Sequence, residues 1–174
     1  MNTKTLVSLS LLVGIGTVLH TVVPPILFGM KPDMLLTMMF LGIFLFPNLK
    51  SVLLVGLTTG AMSALTTSFP GGQIANMIDK PITALVFFAL VMIVKKLAKS
   101  TVTAAVLTAI GTLISGVVFL SAAFFLAGLP GEFSSLIKVV VLPAALVNTI
   151  VMVVVYPIVL NVLKRTNIKT EVSA

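Results

Sequence analysis

The sequence predicts an all-α membrane protein: six transmembrane helices in a single domain over residues 1–174, with both termini in the cytoplasm. Three observations predict it. Of the 174 residues, 59% are hydrophobic and only 9% are charged, whereas a soluble domain carries about 25% charged residues. The apolar residues collect into six runs, at about 5–22, 33–46, 51–68, 81–95, 101–127 and 139–163. Lysine and arginine are shared unequally between the two sets of connections. With the N-terminus inside, the inner segments hold Lys4, Lys50, Lys95, Lys96, Lys99, Lys164, Arg165 and Lys169, against Lys31, Lys80 and Lys138 outside. Eight against three sets the orientation by the positive-inside rule.

The first run follows Lys4. No small-x-small cleavage site comes after it, and His20 and Pro24-Pro25 follow instead, so it reads as a membrane helix and not as a signal peptide. The second run opens on Lys31-Pro32-Asp33 and stops before Pro47-Asn48. Proline suits a first helical turn and aspartate suits the positive N-terminal end of a helix. At 1.5 Å per residue this run covers only about 21 Å. The chain before it, 23–30, is therefore expected to dip into the outer bilayer, where irregular backbone is tolerated if it is buried or lines a watery cavity. The third run carries Gly56-x3-Gly60-x3-Ala64, a small-residue ridge that permits close helix approach. The fourth opens at Pro81. The fifth has the row Ala104, Thr108, Thr112, Gly116, and the first has Ser10-x3-Gly14 with Ser8 and Gly16 nearby. Each row serves either packing within the bundle or docking of another membrane protein, and the sequence leaves both open.

The stretch Thr66–Pro81, TTSFPGGQIANMIDKP, is expected to be the longest outer loop. It mixes hydrogen-bonding groups with apolar side chains, which suits a lid or wall over a small-molecule site. The outer connections (23–32, 68–80 and 128–138), with the start of the second run, also carry Asp33, Asp79 and Glu132, all the carboxylates outside the C-terminal tail. The chemistry is therefore expected on the outer face.

Several function classes are excluded. There is no G-x-x-x-x-G-K-[ST] phosphate loop, and no Ser/His/Asp set or paired metal-ligand carboxylates, so the chain is not read as an enzyme. With no cysteine and one histidine, neither a disulfide framework nor a metal centre is expected. No ionisable residue is expected in the middle of a span, where ion-coupled carriers usually place one. The chain reads as a binder that depends on something else for energy.

The outer residues suit an amphiphilic zwitterion with a flat apolar part. Met30, Met34 and Met38 recur at i, i+4, i+8, and methionine adapts to aromatic rings; a core or lipid-facing stripe gives the same spacing. Phe28 and Phe69 can each stack on a ring or anchor a loop. Gly71 and Gly72 either free backbone N–H groups for a carboxylate or make a plain turn. Gln73 and Asn76 can accept an indole N–H, hold a carboxylate or satisfy loop backbone. Asp33 and Asp79 can pair with an ammonium; otherwise Asp33 caps the second helix and Asp79 pairs with its neighbour Lys80. Asn148 must be paired if buried in lipid, and so faces the interior or a cavity. His20 sits at the outer end of the first helix, and Tyr156 lies too deep toward the inner side.

The runs GMKPDMLLTMMFLGIFLFP (29–47), TTSFPGGQIANMIDK (66–80) and LLVGIGTVLH (11–20) resemble the tryptophan transporter family of low-GC Gram-positive bacteria, grouped with the substrate-binding S-components of energy-coupling factor (ECF) transporters. The resemblance covers essentially the whole chain. It implies a six-helix S-component bundle in the bacterial cell membrane and an outward-facing site for L-tryptophan. It also implies a partner module of a transmembrane T-component and two cytosolic ATPases. No cofactor is implied in this chain itself, ATP being used by the partners. S-components commonly dock through small residues on the first helix, which matches Ser10 and Gly14, with Ser8 beside them. The alternative is a self-sufficient carrier or facilitator for an aromatic amino acid or related amphiphile.

Overall fold

In a bilayer, apolar side chains gain nothing by turning inward, so helices keep them on the lipid face and bury their small and polar residues against one another. The computed structural model, which describes residues 3–24, 31–94, 100–166 and 168, follows this rule on its peripheral helices and departs from it at the second, whose apolar residues are all buried. Its spans are α1 (Thr3–Val22), α2 (Met34–Leu45), α3 (Leu49–Thr66), α4 (Gly72–Ile93), α5 (Thr101–Leu126) and α6 (Phe133–Arg165). All but α2 are long and apolar enough to cross a membrane.

The short α2 is the axis of the bundle. All 12 of its residues are buried, and it touches each of the other five helices. Its roughly 18 Å would leave a lipid-facing span too short for a hydrocarbon core of about 30 Å, but α2 faces protein. Asp33 starts it, its Oδ1 accepting from Leu36 N at 2.9 Å. Pro47 follows its end, and the residue before a proline is disfavoured in helical conformation. Phe40 stacks on Phe87 of α4, with centroids 4.1 Å apart and planes at 13°. Phe44 meets Tyr156 of α6 edge-on at 5.5 Å.

The small-residue rows now separate. On α3, a Cβ at Gly56 would stand 2.8 Å from Ala84 Cβ, and one at Gly60 would stand 3.4 Å from Asn76 O. That ridge is internal packing against α4. The α5 row also turns inward: Ala104, Thr108 and Thr112 are buried, and a Cβ at Gly116 would collide with Val141. On α1 the residues divide. Gly16 lies against Leu35 and Met38 of α2, and Ser8 is buried with its hydroxyl donating to Lys4 O at 2.9 Å. Ser10 and Gly14 face outward, and a Cβ at Gly14 would meet nothing within 4 Å.

Two boundaries differ from the sequence expectation. The fourth helix begins at Gly72, not at residue 81, so the outer loop expected over 68–80 ends at Gly71. Gly71 has φ +72, and a Cβ there would stand 2.2 Å from Ala127 Cβ; only glycine fits this turn. Pro81 lies inside α4. The sixth helix begins at Phe133, six residues before the expected start, and its stretch Ile137–Val141 is π-helical. Leu142 N donates to Ile137 O, five residues back. Pro143 follows directly and has no N–H to give to Val139 O, which favours a change of register at this point. The expected dip over 23–30 lies largely outside the described residues, as does most of the inner connection at 96–100.

Candidate functional site

The site is built from the buried face of α4. Gly72, Ala75, Asn76, Asp79, Lys80, Thr83 and Ala84 are all buried, at spacings of three and four residues that put them on one side of a helix. The opposite side carries Ile74, Met77, Ile78 and Ile82, all exposed. This helix presents its polar residues to the protein and its apolar residues to the surroundings.

Lys80 joins two carboxylates. Its Nζ lies 2.7 Å from Asp33 Oδ2 and 2.7 Å from Asp79 Oδ2. Asp79 is saturated: Oδ1 accepts from Thr83 Oγ1 at 2.7 Å, and Oδ2 accepts from Ser115 Oγ at 2.8 Å as well as from Lys80. His20 Nδ1 lies 3.3 Å from Asp33 Oδ1, without hydrogen-bond geometry. Four helices thus meet at one cluster: α1 through His20, α2 through its Asp33 cap, α4 through Asp79, Lys80 and Thr83, and α5 through Ser115. Removing a charge from water costs several kcal/mol per ion and is tolerated only when partners surround it. Burial pushes the Asp33 carboxyl up, but the neighbouring charge of Lys80 and the His20 contact outweigh it and hold that carboxyl below the usual carboxylate range. Two carboxylates thus face one ammonium, with the His20 imidazole beside them.

Beside this cluster opens a cavity of about 610 Å³, counting its mouth. His20, Asp33, Asn76 and Lys80 form its charged side. Leu36, Phe69, Phe119, Val140, Val141 and Ala144 form an apolar side, where Phe69 and Phe119 meet edge-to-face at 5.3 Å and 74°. Val140 and Val141 belong to the π-helical stretch, so the wider turn shapes this wall. Thr112, Ser115 and Asn148 also line the cavity, and all three are buried. Lys31 and Thr67, both half-buried, and the exposed Ser68 also line it. The fully buried Asn148 donates from Nδ2 to Thr112 Oγ1 at 3.4 Å, and its Oδ1 has no partner.

Among the expected site residues, His20, Asp33, Phe69, Asn76 and Asn148 come together in this cavity. The others that are described do not line it. Met34 is packed into the core at 6% exposure, and Met38 lies against Gly16, so the methionine row is core as far as it is described; Met30, like Phe28, lies outside the described residues. Gly71 makes the turn, and Gly72 N donates to Phe69 O at 2.9 Å. Gln73 points away from the bundle. Asp79 is sealed behind Lys80 at 0% exposure, so Asp33 is the carboxylate that reaches the cavity. Asp79 and Lys80 are the eighth and ninth residues of the 22-residue α4; the expectation that no ionisable residue lies in the middle of a span does not hold.

Sequence reasoning missed Lys80 as a hub, together with Lys31, Thr67, Ser68, Ser115 and Phe119. Thr112 and Gly116 had been recognised as part of a helical row, but as packing residues. The available signal was the i, i+3, i+4, i+7 spacing of Asn76, Asp79, Lys80 and Thr83, which is helical and polar.

A bundle of apolar helices around a cavity with one charged corner and one aromatic wall defines a multi-pass membrane protein with a pocket suited to a small amphiphile. The chain belongs to a family of such proteins: the one described as Tryptophan transporter TrpP matches residues 2–164. It is 54% identical over 167 residues to a probable tryptophan transport protein of Bacillus subtilis (strain 168), covering 96% of each chain. It is 43% identical to a probable tryptophan transport protein of Clostridium acetobutylicum, over 90% of this chain and 91% of the relative. With a third, from Clostridium perfringens, it shares 37% identity over 96% of this chain and 97% of the relative. No solved structure matches the chain. The family is one of transporters, not enzymes.

Proposed function

We propose that this chain is the high-affinity substrate-binding subunit for L-tryptophan uptake across the bacterial cell membrane, energised by a partner ATPase module. The cavity carries this reading, because it joins a corner holding both a carboxylate and lysines to an aromatic and aliphatic wall. The ligand ammonium pairs with Asp33, the carboxylate that lines the cavity. The ligand carboxylate pairs with Lys31, helped by the hydroxyls of Thr67 and Ser68. The ring lies along Phe119, Val140, Val141 and Ala144. The tryptophan named for all three relatives supports the choice of substrate.

Energy comes from a T-component and two cytosolic ATPases. In support, Ser10 and Gly14 leave an open, small-residue face on α1. Both termini lie in the cytoplasm, following the excess of basic residues on that side. A second reading, a self-sufficient carrier, draws support from the buried Asp33–Lys80–Asp79 triad, since intramembrane charges often mark ion relays. Uptake of labelled tryptophan by proteoliposomes separates the two. The leading reading expects no uptake by this chain alone and ATP-dependent uptake beside the T-component and its ATPases. Uptake by the chain alone, driven by an ion gradient, refutes it.

A further inference from the structure

Five buried side-chain nitrogen or oxygen atoms lack a hydrogen bond among the described residues, on His20, Thr59, Ser63, Asn148 and Tyr156. Only His20 and Asn148 line the cavity. His20 is already beside Asp33, so Asn148 Oδ1 is the one with no polar neighbour supplied by the protein. Its own amide nitrogen is spent on Thr112 Oγ1 at 3.4 Å, which leaves the carbonyl oxygen as the free end of a side chain with 0% exposure. A buried acceptor in a largely apolar setting is costly unless something donates to it. We infer that Asn148 Oδ1 accepts the ring N–H of an indole, with Thr112 holding the amide in that orientation. Asn148 is then a specificity-determining residue of the same site.

The inference deepens the proposed function and rests on its cavity. An amphiphilic zwitterion has charged groups for the Asp33 corner and needs a partner of the opposite kind elsewhere. Indole offers one N–H donor on an otherwise apolar, planar ring. Phenylalanine has the ring without the donor. A site built around a buried acceptor rejects a ligand that leaves it unpaired far more strongly than it rejects a change in apolar size.

The test uses the full chain in detergent, calorimetry, and two ligands of nearly the same shape: L-tryptophan and its 3-benzothienyl analogue, in which sulfur replaces the ring N–H. Wild type is expected to bind tryptophan about 10- to 100-fold more tightly. Asn148→Leu is expected to bring that ratio to about one, chiefly by weakening tryptophan and not the analogue. Thr112→Val removes only the hydroxyl that orients the amide, keeps the residue volume, and is expected to shrink the ratio several-fold; it stands in if Asn148→Leu does not fold. A wild-type ratio near one overturns the inference, as does an unchanged ratio in a folded variant, while tryptophan binding would still stand. Absence of tryptophan binding by wild type instead overturns the proposed function, and the inference falls with it.

Discussion

Lys80→Met tests whether the buried triad is a closed electrostatic unit. The substitution keeps an unbranched side chain of similar length and removes only the charge. It leaves Asp33 and Asp79, each bonded at 2.7 Å to the lost nitrogen, facing one another at a position where Lys80 is 3% and Asp79 is 0% exposed. Breaking a buried ion pair by removing one partner costs about 3–5 kcal/mol, because the charge left behind is unpaired and desolvated. For a chain of this size, 1 kcal/mol shifts the melting temperature by about 2–4 °C, so the expected loss is about 6–20 °C. The assay is tryptophan-free thermal unfolding in one detergent, followed by scattering or intrinsic tyrosine fluorescence, the chain having no tryptophan of its own. The companion variant Asp79→Asn/Lys80→Met removes one charge of each sign and is expected to recover much of the loss. A single variant melting within about 2 °C of wild type, less than the shift from 1 kcal/mol, refutes the reasoning. So does a double variant melting below the single one.

Gly71→Ala places a Cβ in the left-handed region and against Ala127, and is expected to cost about 1–3 kcal/mol with tryptophan affinity nearly unchanged, read by melting and calorimetry together. Gly14→Leu projects into open space and is expected to leave melting and binding intact while abolishing co-purification with the T-component; retained co-purification moves the docking face elsewhere. Because no native cysteine interferes, Gln73→Cys is expected to react with an impermeant thiol reagent from outside the cell and Lys50→Cys only after permeabilisation, and the reverse pattern inverts the topology. The lowered Asp33 carboxyl contributes stability that is full above its unfolded value of about 3.9 and is lost as pH falls toward its folded value. Melting temperature is therefore expected to drop below about pH 4, and the drop is expected to shrink in Asp33→Asn.

Helix number was legible because the lipid-facing surface is continuous along each span, and any run of apolar residues records it. The start of α4 was not, and Pro81 shows why. A proline next to charged residues fits the first turn of a helix, and in water that reading holds. In a membrane bundle an interior proline is tolerated, because neighbouring groups satisfy the carbonyl it leaves free. Residues 72–80 looked like a loop because polar and apolar side chains alternate there in twos. The structure shows these to be two faces of one helix, Asn76, Asp79 and Lys80 inward and Ile74, Met77 and Ile78 outward.

The same inversion explains which site residues could be found from sequence. His20 and Asn148 are single polar residues within apolar surroundings, so burial in a bundle obliges them to find a partner or a cavity, and both line one. Asp33 carries two roles at once, capping α2 and facing the cavity, which the sequence offered as alternatives. Asp79 and Lys80 do pair as neighbours, as their adjacency suggested. What adjacency could not reveal is that Asp33 closes the triad from another helix, since a contact between distant segments leaves no local pattern. That third member changes the chemistry. An Asp79–Lys80 pair alone places no carboxylate in the cavity wall, whereas the triad does, and Asp33 rather than Asp79 is the group that reaches the cavity.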